Sequence, residues 1–160
     1  MDWNTQYHII GKVALAMLLG GLIGLEREIA DKPAGFRTHM LVAGAAALLV
    51  GLGDVLLQRF STYANVNVLR SDPIRIVEAI ITGISFLGAG TIFRRSERDG
   101  VEGLTTAASI LLSSAIGICI SLRQFILAGG VTLLALIVLR GLRLIERWIG
   151  HKNKKAAGRE

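Results

Sequence analysis

Residues 9–28 read IIGKVALAMLLGGLIGLERE, and this stretch decides the fold. After Lys12 no charge occurs until Glu26-Arg27-Glu28, where the apolar block closes. The block is apolar on every side, without the alternation that a barrel strand needs, so a membrane helix is the expected form. Four more blocks follow, giving spans at about 9–25, 40–57, 74–93, 104–120 and 125–145. Each holds roughly 17 to 21 residues, matching a hydrocarbon core about 30 Å thick at 1.5 Å of rise per residue. The third opens at Ser71-Asp72-Pro73, with Asp72 suited to cap and Pro73 to the first helical position.

The whole composition agrees with this reading. Of 160 residues, 52% are hydrophobic and only 19% charged, with 19 glycines. Soluble domains carry about a quarter of their residues as charges. Cys119 is the single cysteine, which excludes an intrachain disulfide and any multi-cysteine metal site. His8, His39 and His151 are too scattered in sequence to suggest zinc. Met1-Asp2-Trp3-Asn4 lacks the basic start of a signal peptide, so the first block is expected to stay as a helix.

The charge of +6 follows orientation and does not indicate nucleic acid. Arg59, Arg70, Arg75 and Arg123 fall on the N-terminal side of the spans. Thirteen fall on the other: Arg27, Lys32, Arg37, Arg94, Arg95, Arg98, and the seven from Arg140 to Arg159. That bias places the N-terminus outside and the C-terminus in the cytoplasm. The tail, 151–160, then lies beside anionic lipid.

Small residues recur at spacing four: Ala16, Gly20 and Gly24; Ala43, Ala47 and Gly51; Ser109, Ser113, Gly117 and Ser121. Such ladders let helices approach closely in lipid, through bundle packing or through a dimer-forming or sliding face. The expected fold is thus an all-α membrane protein of five helices packed through small-residue faces. Gly83, Gly88 and Gly90 make the third helix easy to break, which suits either an ion site or close packing.

Mid-span carboxylates, the usual mark of proton relays and cation-coupled transport, do not occur in this sequence. Lys12, Asp54 and Glu78 lie towards the outer face, either as an ion-pair cluster or with Asp54 and Glu78 holding a divalent cation such as magnesium. At the inner face, Thr38 and Thr105 or Thr106 are natural caps, and Glu26 or Glu28 can pair with Arg37 across a short turn. Glu26 precedes Gly35 by nine residues, as Arg94 precedes Gly103, which suggests a parallel repeat of two helical hairpins.

Three ordered motifs carry a resemblance. Residues 21–28, GLIGLERE, with 34–42, AGFRTHMLV, form the first; 86–92, FLGAGTI, the second; 103–109, GLTTAAS, the third. Over roughly residues 9–145 the chain resembles the MgtC/SapB family. The resemblance implies a bacterial inner-membrane protein tied to growth at low magnesium, survival inside macrophages and restraint of the membrane ATP synthase. Its motif residues fall at Gly24, Glu26, Arg27, Gly35, Arg37, Thr38, Gly88, Gly90, Gly103, Thr105 and Thr106, without a settled catalytic or ligand role. Ser85 departs from a usual glycine, and Ile110-Leu111 from a usual aromatic. Many members also carry a soluble C-terminal domain, and this chain is expected to be a short form without it.

Two functions follow as expectations. One is a regulatory protein that docks its helices on a membrane partner such as the ATP synthase, with a homodimer plausible for so few helices. The other is a transporter or channel for magnesium or another cation. An enzyme is not expected, because Cys119 has no histidine or acidic residue in its span and no serine sits in a nucleophile motif.

Overall fold

The computed structural model describes residues 3–63, 73–95 and 100–157. The expected cap at Asp72, the side chains of Arg94 and Arg95, and Arg98 lie outside the described residues, as do the side chains of the basic tail. Among the described residues there are five helices: α1 (Trp3–Ile29), α2 (Phe36–Tyr63), α3 (Pro73–Ala89), α4 (Leu104–Ser121) and α5 (Phe125–Ala157). A two-stranded antiparallel hairpin, β1 (Phe93–Arg95) and β2 (Gly100–Glu102), joins α3 to α4.

Trp3–Ile29, Phe36–Gln58 and Leu104–Ser121 are each long and apolar enough to cross a membrane, and Phe125–Gly141 is a shorter apolar helix. Large apolar side chains stand exposed around the bundle, Phe86 at 80% and Ile126 at 95% among them. Lipid, not water, is the solvent that such a surface fits.

Helix ends follow local hydrogen bonding. At the end of α1, Asp31 takes φ 53°, and the Lys32 and Asp31 amides reach back to the carbonyls of Arg27 (3.1 Å) and Glu28 (3.0 Å). Arg123, at φ 61°, closes α4 in the same way, with Gln124 donating to Cys119 O at 2.8 Å. Both are left-handed caps made without glycine. The third helix stops at Ala89, short of the Phe93 expected. The Thr91 hydroxyl and amide both bond to Gly88 O, at 2.7 and 3.0 Å, which tightens the chain into a turn before β1.

The core is a three-helix seam of α1, α2 and α4, built on Ala16, Ile23, Ala43, Ala47, Ile116 and Ile120. Helix α5 lies against it through Ala128 and Ala135, and α3 through Ile80 against Ala46, Val50 and Ile118. His39 meets Ser109, Ala43 and Ala46 face Gly117, and Gly51 lies by Ser121, so α2 and α4 run parallel. The small-residue ladders of α1, α2 and α4 are therefore used inside the bundle. The two hairpins point the same way but are joined differently, one by a short turn and one through the β-hairpin. Their equivalence as a repeat rests on the sequence spacing alone.

Candidate functional site

Glycines on α1 bring the first turn of α2 into contact. A Cβ on Gly20 would stand 2.6 Å from His39 O and 2.7 Å from Ala43 Cβ. One on Gly24 would stand 2.8 Å from both Gly35 O and Phe36 Cα. Only a hydrogen fits at either position. On α4, Gly117 meets the backbone of Ala43 in the same fashion. The close approach encloses polar side chains at the end of the bundle that carries the α1–α2 turn.

Five polar residues are buried there: Glu26, Arg27, His39, Thr106 and Ser109. Glu26 and Arg27 lie with Oε2 and Nη1 3.9 Å apart. A long contact of 3.5 Å runs from Arg27 Nη2 to Thr106 Oγ1. His39 is wholly buried, with Nδ1 2.9 Å from Gly35 O and Nε2 3.0 Å from Ser109 Oγ. The Ser109 hydroxyl also lies 2.8 Å from Thr106 O. Polar and charged groups in an apolar medium are costly unless they bond to one another, and this cluster ties three helices together. The N-termini of α2 and α4 lie at this end, where their dipoles favour the nearby carboxylates.

The expected motif residues divide into three groups. Gly24, Glu26, Arg27, Gly35 and Thr106 belong to the cluster. Gly88, Gly90 and Gly103 shape the second hairpin: Gly88 packs on Ala107, and Gly103, at φ 94°, meets Thr91 O. Arg37, Thr38 and Thr105 are exposed.

Three expectations are corrected. Neither Thr38 nor Thr105 nor Thr106 is a cap, because α2 starts at Phe36 and α4 is capped by Gly103 without a side-chain bond. The cap of α2 comes instead from α1, with the Phe36 amide donating to Glu28 Oε2 at 2.7 Å. That bond occupies Glu28, and no ion pair joins Arg37 to Glu26 or Glu28. At the other end, Lys12 Nζ donates to Ser121 O at 2.7 Å, where a cation meets the C-terminus of α4, and does not pair with Asp54 or Glu78. Asp54 and Glu78 are both exposed. Among the described residues, no group of three or more His, Cys, Asp or Glu could hold a metal ion.

His39 and Ser109 are the residues that sequence reasoning missed as site members. The available signal was the spacing of four from Gly35 to His39, which sets an imidazole over a carbonyl one turn earlier.

The model of the MgtC family matches residues 13–148. The chain belongs to the MgtC family. It is 38% identical over 155 residues to an uncharacterized protein of Haemophilus influenzae, covering 96% of this chain and 63% of that one. Identity to "Protein MgtC" of Brucella abortus is 42% over 119 residues, covering 74% of this chain and 44% of the relative. The Escherichia coli relative named "Putative magnesium transporter YhiD" is 34% identical over 147 residues, covering 89% and 64%. The chain thus spans less than two thirds of each of these three relatives. No solved structure matches it. Family membership and the apolar helices make it a multi-pass membrane protein.

Proposed function

We propose that this MgtC-family chain is a regulatory protein of the bacterial inner membrane, acting under magnesium limitation and during intracellular survival. It works by docking helix faces on a membrane partner such as the ATP synthase. In this reading the N-terminus is outside and the cluster end is cytoplasmic, following the distribution of Lys and Arg.

The observation that carries it is the division of the glycines. Gly20, Gly24 and Gly117 are filled by neighbouring backbone, whereas Gly83, Gly129, Gly130 and Gly141 have nothing within 4 Å of a Cβ position. Open glycines on lipid-facing helices leave room for a second backbone. Exposed Phe86 and Leu87 lie near the one on α3, and Ile126, Leu133 and Leu134 near those of α5. A homodimer would use the same faces.

Single cysteines at Gly83 or Gly129, in a Cys119→Ala background, test this by crosslinking in native membranes. Adducts with a partner or a second copy are expected at these positions, and few at exposed Leu41 on α2. Absence of adducts at both glycines would refute docking through α3 and α5.

A second reading, magnesium transport, is favoured by the Escherichia coli relative, which is named as a putative magnesium transporter. Purified protein in liposomes would then pass magnesium above the level of empty vesicles. Combining Asp54→Asn with Glu78→Gln should abolish that flux if those carboxylates collect the ion.

A further inference from the structure

Which way the Ser109 hydroxyl points depends on a proton that His39 can gain or lose. Gly35 O can only accept, so Nδ1 of His39, 2.9 Å away, carries a hydrogen. Ser109 has one hydroxyl hydrogen and two acceptors in reach, Thr106 O at 2.8 Å and Nε2 of His39 at 3.0 Å. When the ring is neutral, Nε2 is a bare acceptor and Ser109 donates to it. When the ring is protonated, Nε2 donates to Ser109 Oγ, and the hydroxyl turns to Thr106 O. Each arrangement satisfies both ring nitrogens, and a single proton distinguishes them.

We propose that His39 is a proton-binding site whose occupancy sets the strength of the contact between α2 and α4. The ligand is H⁺, and the responding bond crosses from one parallel helix to the other. A hydrogen bond from an imidazolium is about twice as strong as one between neutral groups. The ring is wholly buried beside buried Arg27, however, where a new charge loses its hydration, so on balance protonation weakens the contact. The surroundings are specific to this end of the bundle. Helix α1 contributes Glu26 and Arg27, both buried, and Glu28, whose carboxylate holds the Phe36 amide beside Gly35. Helix α2 adds exposed Arg37, and α4 adds Thr106 and Ser109 but no titratable residue before Cys119. Helix α3 meets α4 at Gly88 and Ala107 and has no titratable residue from Ala79 to Ile92. Helix α5 has none from Phe125 to Leu139. Neither a docking partner nor a transported ion is needed for the device to operate.

Nitrogen-15 NMR of the histidine rings in the full chain, held in phospholipid nanodiscs, is the direct test. The His39 signals are assigned by their loss in His39→Gln. At neutral pH His39 should be the Nδ1–H tautomer with Nε2 bare, and acid should convert it to the doubly protonated ring. In Ser109→Ala the midpoint should move to lower pH by about one unit, a tenfold loss of proton affinity. Ser109→Thr, which keeps a hydroxyl, should retain the original midpoint. Resistance to unfolding in SDS should fall as the pH drops through the midpoint in the wild type and stay flat there in His39→Gln. An Nε2–H tautomer at neutral pH overturns the proposal in the wild type alone, whatever the variants do. A midpoint unmoved in Ser109→Ala, or wild-type unfolding indifferent to pH across it, overturns it equally.

Discussion

Replacing Gly24 by alanine adds one methyl at a closely packed turn of the α1–α2 seam. The new carbon would lie 2.8 Å from Gly35 O, 2.8 Å from Phe36 Cα and 2.9 Å from His39 Cβ. Ordinary contact begins near 3.4 Å, so the first turn of α2 must retreat by about 0.6 Å. Two of those atoms are backbone and the third is a Cβ, so no side-chain rotation can relieve the overlap. Overpacking of this kind costs typically about 1–3 kcal/mol, against which alanine regains up to about 1 kcal/mol of helix propensity. A net loss of about 1–2 kcal/mol is expected on that balance. The assay is reversible unfolding in micelles of mild detergent titrated with SDS, followed by helicity. Gly129→Ala is the matched control, since nothing lies within 4 Å of its Cβ position. If Gly24→Ala unfolds at the same SDS fraction as wild type, the close approach of the two helices is wrong.

Three further outcomes follow from the same geometry. Gly129→Ala itself should be neutral or stabilising by up to about 1 kcal/mol in that titration, because it gains propensity without a clash. Glu28→Ala removes the acceptor for the Phe36 amide and should cost about 1 kcal/mol, with faster amide hydrogen exchange confined to the first turn of α2. Gly103→Ala forces a side chain to φ 94° and against Thr91 O. It should cost more than the roughly 1–2 kcal/mol of a left-handed residue alone, read as lost thermal stability in detergent.

The five helices were legible because each apolar block is bounded by charges or turn residues, and length then separates helix from strand. The ladders through Gly20, Gly24 and Gly117 were legible as packing faces, but their partners were not, because spacing within one helix does not name its neighbour. Reading charge as a sign of the span's end placed Glu26 and Arg27 in the interface region. The structure buries both, since α1 continues to Ile29 and α2 and α4 cover its last turns. The caps failed for a related reason. A threonine near a helix start looks like a cap in sequence, yet here Glu28, from another helix, reaches the amide first. The β-hairpin escaped notice because its strands are three residues each, too short to show alternation. His39 stayed hidden because one polar residue in a polar segment carries no periodic signal.

The parallel run of α2 beside α4 has a consequence for how this chain can change length. Gly20, Gly24 and Gly117 all bear on the stretch of α2 between Gly35 and Ala46. One residue inserted or deleted within it would rotate everything beyond by about 100°, turning the faces that meet α1 and α4 towards lipid. Length variation among kindred chains should therefore gather in the connection between the strands and leave that stretch at fixed length, like the keyway of a shaft.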